Sequence, residues 1–315
     1  MKISLIGASS FIGKNFIEFL DKKEIEINLV GTQRKKDNTL EHIIKNLSNI
    51  RYKQKFLDLT KFENIDYLSD SSLLLFLAGI SKPEKRNIEY YNNINLNSLK
   101  FIFENNKKLN IKKFIILSST EAVGKNFSNK PFDELTTPKP DNNYGKNKLQ
   151  LEKLCGEYSK KGYNINIIRP TTIYGKFDKE FIKFFKLNEL RFFPLSCDKE
   201  CIEYLNAVDL CEGIMKVFKN GVPGEIYNIG PKKKVSLNYI LKTIENLSEK
   251  KFIKLQIVSS IIKSLNIKIF DRLTEYKFNS DFNKIFKIGF SDKISLDEGI
   301  SDLYKHYKKY SIFYK

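Results

Sequence analysis

The sequence predicts an α/β protein organised on a doubly wound parallel sheet. Three features lead there. Short apolar runs alternate with helical patterns along the first half of the chain, as strands joined by crossover helices do. The first run enters a turn of small residues, Gly7-Ala8-Ser9-Ser10-Phe11-Ile12-Gly13, which opens a helix. Farther on, Tyr144 and Lys148 lie four apart at the start of a helical segment and therefore share one face, a turn apart.

Taken in order, Lys2–Ile6 reads as a strand and the residues after Ser10 as an amphipathic helix carrying Ile12, Phe16, Phe19 and Leu20. Strand, small-residue turn and helix in this order place a pyrophosphate on a helix N-terminus. Gly7 permits the tight turn, Gly13 lets helix and strand approach, and the backbone N–H groups of Ser9, Ser10, Phe11 and Ile12 face the phosphates. Ser10 stands where a third glycine would be expected, so the backbone there must keep a conformation open to any residue. This is the Rossmann-like signature of a nicotinamide dinucleotide site.

The second strand, Glu26–Val30, runs into a turn Gly31-Thr32-Gln33-Arg34-Lys35-Lys36. An NAD site places Asp or Glu near this strand end for the ribose 2′-hydroxyl, whereas a 2′-phosphate calls for arginine. No carboxylate appears before Asp37, and Thr32 and Arg34 occupy the turn, which favours NADP with NAD as the alternative. A third strand, Tyr52–Leu57, ends in Asp58-Leu59, assigned to the adenine. A fourth, Leu73–Leu77, ends in Ala78-Gly79, which leaves room for the cofactor together with Leu77. A helical segment between Pro83 and Lys108 carries Asn95, also placed with the cofactor. The fifth strand, Lys113–Leu117, ends in Ser118-Ser119-Thr120, a hydroxyl cluster at the open end of a buried strand where a substrate oxygen would be met.

The Tyr144/Lys148 pair makes chemical sense beside such a cluster. A free phenol titrates near ~10, and an adjacent ammonium favours its phenolate, which makes the pair an acid/base device. The last helix starts at Ser295 with Glu298 three residues on, a capping box.

Composition narrows the partners. Of 315 residues 41% are apolar and 29% charged, which fits an ordinary globular protein. The net charge of +18 comes from lysines spread along the chain, with only Arg34-Lys35-Lys36 and Lys232-Lys233-Lys234 as basic blocks, so no nucleic-acid partner is expected. Cys155, Cys197, Cys201 and Cys211 form no CxxC pair, and His42 and His306 lie far off, so neither a metal site nor a disulfide framework is expected. With no leader and no long apolar run, the expected location is a reducing cytoplasm. The segment Leu255–Phe270 has helical apolar spacing with interspersed lysines and reads as a helix packed on the core, the alternative being contact with a membrane surface.

The ordered strings G-A-S-S-F-I-G at 7–13, L-A-G at 77–79, S-S-T at 118–120, Y-G-K-N-K at 144–148, R-P-T-T-I-Y-G at 169–175, G-E-I-Y-N-I-G at 224–230 and I-G-F-S-D-K-I-S-L-D-E-G at 288–299 carry a resemblance. The chain resembles, over essentially its whole length, the extended short-chain dehydrogenase/reductase family in its NAD(P)-dependent nucleotide-sugar epimerase/dehydratase branch. The resemblance implies a dinucleotide domain over residues 1–170, with segments near 204–230 returning to it, and a smaller substrate-binding lobe mainly within 171–315. It implies that Ser119 bonds the reacting sugar oxygen, with Thr120 as the alternative, that Tyr144 carries the proton, and that Lys148 holds the nicotinamide ribose. It places Thr172 against the sugar and implies a homodimer paired through the tyrosine helix. One departure concerns the substrate pyrophosphate: Ile202 stands where relatives have arginine, which leaves Arg191 or Lys199 for that role.

The expected activity is hydride transfer at C4 of a nucleotide-activated hexose. A 4-keto-sugar-nucleotide reductase using NADP(H), serving surface polysaccharides, leads; a UDP-hexose 4-epimerase with bound NAD is the alternative. A 4,6-dehydratase is disfavoured, since the family's Asp-Glu pair is Thr120-Glu121 here. A non-catalytic NADP sensor is the reading from another class; it expects the Tyr/Lys pair to be lost, and both residues are present.

Overall fold

The structure is a computed structural model that describes residues 1–23, 25–61, 64–77, 89, 92–125, 130–195, 201–256 and 279–314. Its centre is a seven-stranded sheet in which every pairing is parallel. The strands are β1 (Lys2–Ile6), β2 (Ile27–Gln33), β3 (Ile50–Phe56), β4 (Leu73–Phe76), β5 (Phe114–Leu117), β6 (Ile165–Pro170) and, after four short strands, β11 (Ile226–Ile229), in the spatial order β11-β6-β5-β4-β1-β2-β3. The order reverses beside β1, between the arm leading to β3 and the arm leading to β11. Ligands of such sheets bind at that point, beyond the carboxyl ends of the strands.

The strands read as continuous apolar runs because both of their faces are covered. Alternate residues go to opposite cores. Leu73, Leu75, Ile115 and Leu117 join Phe16, Ile17 and Leu20 of α1 (Phe11–Asp21) on one face, while Leu74, Phe76, Phe114 and Ile116 join Leu99, Ile102 and Phe103 of the helix α3 (Asn97–Glu104) on the other. Helix α2 (Asn38–Lys45) connects β2 to β3 and sends Leu40 and Ile43 to the first core. The long α4 (Asn143–Lys160) sends Leu151 and Cys155 to the second.

A third apolar cluster stands on the later part of the chain. It joins Phe181, Phe184 and Phe185 at α5 (Ile182–Glu189) to Ile240 and Ile244 of α7 (Leu237–Ser248) and to Ile300 and Leu303 of α8 (Leu296–Lys309). Between α5 and α7, helix α6 (Ala207–Asn220) packs on the sheet through Leu210, Ile214 and Val217. The short strands β7 (Thr172–Tyr174) and β10 (Tyr204–Asn206) pair with each other in parallel, as do β8 (Phe192–Leu195) and β13 (Ile253–Gln256), whereas β9 (Cys201–Ile202) and β12 (Val235–Ser236) pair antiparallel. The expected capping box is present, with Ser295 and Glu298 bonded reciprocally. No helix among the described residues is long and apolar enough to cross a membrane.

Two local expectations differ from the structure. The strand expected over Glu26–Val30 runs on to Gln33, so Gly31, Thr32 and Gln33 are strand residues. β3 pairs along the whole of β2, and the hydrogen bonds of that ladder outweigh the turn tendency of glycine. The helix expected from Leu255 is also absent at its start, because Leu255 lies in β13 opposite Pro194 of β8. The remainder of that segment, from 257, is outside the described residues.

Candidate active site

The dinucleotide turn is set by two glycines. Gly7 has φ +99°, in the region that favours glycine. A side chain on Gly13 would put its Cβ 2.4 Å from the Gly7 carbonyl oxygen, so only glycine lets α1 seat against the end of β1. Ser10 has φ −69°, open to any residue, and caps α1 by accepting a hydrogen bond from the Gly13 N–H at 3.0 Å. No acidic side chain occupies the first turn of α1. Its leading N–H groups, which a helix cannot satisfy internally, and the positive end of its dipole suit a pyrophosphate.

At the end of β2 the three candidate groups separate. Thr32 is buried, with its Oγ1 taking the Gly7 N–H at 3.4 Å, and Arg34 is exposed. Asp37 is committed elsewhere: it caps α2 at the Leu40 N–H (2.8 Å) and pairs with Lys14 (2.9 Å). Sequence reading missed Gln33, the last residue of β2. It is 2% exposed, and neither atom of its carboxamide has a hydrogen-bond partner among the described residues. An unpaired buried amide costs of order 1–3 kcal/mol, a cost that ligand contact would remove. Alternation along the strand, which puts Gln33 on the α1 face with Leu29 and Gly31, was the available signal.

On the neighbouring strand end Asp58 is exposed, and hydrogen bonds from Thr60 hold its carboxyl below the usual range, with Arg34 adding to the effect. Leu59 follows it. Leu77 is buried and its N–H meets the Ile6 carbonyl at 3.0 Å, while Ala78 and Gly79 lie outside the described residues. The turn Gly7–Gly13, Thr32, Gln33, Asp58 and Leu77 therefore share one end of the sheet.

The chemical groups converge at the ends of β5 and β6. Ser119 leaves β5 in extended conformation and its Oγ accepts the Glu121 N–H at 3.2 Å, which starts a single helical turn, Thr120–Ala122. Ser119 is half-buried and Thr120 fully buried, so the first of the two hydroxyls is the reachable one. Helix α4 docks on that turn. Asn142 caps it by accepting the Gly145 N–H (2.8 Å) and donates to Glu121 Oε2 (3.0 Å), and Gly145 lies so close that a Cβ would stand 2.2 Å from the Glu121 carbonyl oxygen. This contact brings the start of the helix, and Tyr144 with it, against the turn begun by Ser119.

One turn along α4, Lys148 is 5% exposed and donates to the Leu117 carbonyl at 2.7 Å. Its Nζ is 5.7 Å from the centre of the Tyr144 ring. Burial brings the Lys148 ammonium down to about 8, with Glu152 opposing the fall. Asn95 is fully buried in a π-helical turn, Asn92–Leu96, an irregularity common at functional sites. It donates to Asn147 Oδ1 (2.8 Å), and Asn147 donates to Asn92 (2.9 Å), so the turn is fastened to α4 between Tyr144 and Lys148. Sequence reading also missed this role for Asn147.

The remaining candidates are more scattered. Thr172 is half-buried at the start of β7, opposite Tyr204. Arg191 is exposed in a left-handed turn (φ +54°) entering β8, and no described contact ties it to the Tyr144 cluster. Lys199 lies outside the described residues. Ile202 belongs to the third apolar cluster, and the neighbouring Glu203 is buried against Ser280 and Lys234.

Comparison with known proteins identifies the family and the fold. The model of the NAD dependent epimerase/dehydratase family matches residues 3–230. A dTDP-D-glucose 4,6-dehydratase of Dictyostelium discoideum is 26% identical over 77% of this chain, and the match spans 61% of that protein's length. An uncharacterized UDP-glucose epimerase of Bacillus subtilis, YtcB, is 27% identical over 78% of this chain and 81% of its own. Among solved structures, a UDP-glucuronic acid 4-epimerase of Bacillus cereus, a point mutant in complex with a fluorinated UDP-glucuronic acid and NAD, superposes with a TM-score of 0.82. It is 22% identical, and the superposition covers 98% of this chain and 99% of that one. The chain belongs to the NAD dependent epimerase/dehydratase family.

Proposed function

We propose that the protein is a nucleotide-sugar 4-epimerase, oxidising the C4 hydroxyl of a nucleotide-linked hexose and restoring it with the opposite configuration. The docking of Tyr144 and Lys148 against the Ser119 turn carries this reading. The B. cereus 4-epimerase bound to NAD and a UDP-sugar supports it through the shared fold. Bound at the glycine turn, a nicotinamide dinucleotide supplies a hydride acceptor and donor. Ser119 orients the C4 oxygen, and Tyr144 removes the hydroxyl proton while the Lys148 charge favours the phenolate. Since an epimerisation has no net redox change, Tyr144 returns that proton in the second half of the reaction.

A second reading, reduction of a 4-keto-sugar nucleotide with NADP(H) for surface polysaccharides, is favoured by the end of β2. There Asp37 is occupied, Gln33 is neutral and Arg34 is open to solvent. Elimination of water, as a dehydratase performs, has less support, because buried Thr120 takes the place of the expected acid.

One experiment separates these readings. The purified protein is analysed for copurifying cofactor, then incubated with UDP-hexoses and, separately, with a fresh 4-keto-sugar nucleotide and NADPH. Interconversion of hexoses without added cofactor supports the epimerase; stoichiometric NADPH loss supports the reductase. Neither activity, with cofactor bound, would defeat both. Light scattering on the same sample tests the homodimer.

Cofactor choice is checked separately with Gln33→Asp. A carboxylate at this position bonds a ribose 2′-hydroxyl and repels a 2′-phosphate. The NAD-to-NADP affinity ratio is expected to rise by about tenfold or more, a change of ~1.4 kcal/mol or more. An unchanged ratio, measured by titration of both oxidised cofactors, would remove residue 33 from the site.

A further inference from the structure

We propose that the paired turns at 189–192 and 249–253, which lead into β8 and β13, form a docking surface for a membrane that carries anionic lipids. The inference is independent of the reaction assigned to Tyr144.

Hydrogen bonds hold the two turns side by side. The Ile253 N–H donates to the Arg191 carbonyl at 2.8 Å, and the Asn188 amide donates to the Lys250 carbonyl at 2.9 Å. Each turn passes through a residue other than glycine in the left-handed region, Arg191 at φ +54° and Glu249 at φ +59°. Such backbone persists only where its surroundings fix it, so these turns present their side chains in set positions. On the inner side Phe193 and Phe252 pack edge to face, 5.6 Å between ring centres, and both belong to the third apolar cluster. Alternation along the two strands sends their neighbours Phe192 and Ile253, which are paired in register, to the opposite face.

The outward residues are apolar and basic. Leu190 is 75% exposed and Ile253 60%, and Phe192 is partly open beside Ile253. Lys186 stands one turn before Leu190 on the same face of α5, and its carbonyl accepts the Leu190 N–H at 3.2 Å. Lys251 and Lys254 lie on either side of Ile253 in the chain, and all three lysines are exposed, as is Arg191. Two exposed carboxylates stand among them, Glu189, which pairs with Lys308 at 3.1 Å, and Glu249. The exposed charge of the turns is therefore positive.

This combination selects the occupant. A nucleic acid would use the cations and leave leucine and isoleucine in water, whereas an apolar protein groove would use the side chains and strand the cations. An anionic bilayer uses both: leucine and isoleucine enter the boundary between headgroups and acyl chains, while lysine and arginine keep their charges at headgroup level. Each cation beside such a surface strengthens association by about fivefold, and the attraction fades within a Debye length, so only groups close to the leaflet contribute. The net charge of +18 draws the whole chain towards the leaflet without orienting it. The apolar pair supplies the orientation.

The test is co-sedimentation of the full chain with vesicles of phosphatidylcholine alone and of phosphatidylcholine mixed with phosphatidylglycerol. Binding is expected on the mixed vesicles, about tenfold or more weaker on phosphatidylcholine alone, and reduced by high salt. Leu190→Ser/Ile253→Ser should weaken it about tenfold or more by removing the inserted groups, and Lys251→Gln/Lys254→Gln should do the same by removing two adjacent cations. Lys45→Gln/Lys107→Gln takes the same charge from exposed lysines outside these turns and should leave binding within about threefold. All the substituted side chains are exposed, so the fold is kept, which urea unfolding checks, and each pair is a test by itself.

A parent protein that does not bind the mixed vesicles overturns the inference. So does a distant lysine pair that matters as much as Lys251 and Lys254, since net charge alone would then account for the binding, or an apolar double variant that binds like the parent. If light scattering shows that the parent self-associates and that Leu190→Ser/Ile253→Ser abolishes this with vesicle binding unchanged, the face joins two copies of the chain and the inference fails.

Discussion

Tyr144→Phe is expected to lower kcat by about 10²–10⁴-fold while leaving the binding of oxidised cofactor nearly unchanged. The phenyl ring keeps the packing of the start of α4, with Lys148 Nζ still near the ring and Gly145 still seated on the Glu121 carbonyl. Only the hydroxyl is removed, and neither neighbour is placed to take over its role. Lys148 is buried with Nζ turned to the Leu117 carbonyl, and Ser119 uses its oxygen to hold the turn beneath it. Steady-state kinetics with the hexose interconversion, together with cofactor titration, separate the two effects. Turnover within tenfold of the parent would take Tyr144 out of the mechanism.

Gly145→Ala should be the most damaging single-methyl change on α4, and its sign is informative. In an open helix, replacing glycine by alanine gains about 0.5–1 kcal/mol. Gly156, on the same helix, has no atom within 4 Å of where its Cβ would stand, so Gly156→Ala is expected to show that gain. At Gly145 the new methyl would meet a backbone oxygen at 2.2 Å, and only displacement of the Thr120–Ala122 turn can relieve the contact. Overpacking of this kind costs about 1–3 kcal/mol, which outweighs the helical gain. Because the same turn is begun by Ser119, the displacement also moves the hydroxyl away from Tyr144, and a shift of ~1 Å can cost about 10²-fold in rate. In urea unfolding the two variants should therefore move in opposite senses, and kcat should fall for Gly145→Ala alone. A Gly145→Ala protein as stable and active as Gly156→Ala would show that the two elements are not held as described.

Much of this site could be read along the chain because its signals are local. The glycine turn needs only a strand, two glycines and a helix start, and it folds as expected, with Gly7 at positive φ and Ser10 as the cap. The Tyr144/Lys148 spacing needs only a helix, and Asn142 starts one there. Less legible was the end of β2, where glycine reads as a turn residue but pairing with β3 extends the strand by three residues. That extension is what turns Gln33 from a loop residue into a buried strand-end amide.

By itself the sequence determined the alternation of strands and helices, the dinucleotide turn and the tyrosine–lysine face, each the product of spacings shorter than a helix. Only the tertiary structure decided which hydroxyl is reachable, Ser119 over Thr120, and what holds α4 to the strands beneath it. Glu152 finds Arg169 17 residues away and Ser118 34 residues away, across two strands. Such partners depend on how crossovers order the strands and on which face of each strand meets the helix. Those relations arise from burying two opposite cores at once, and no local periodicity records them.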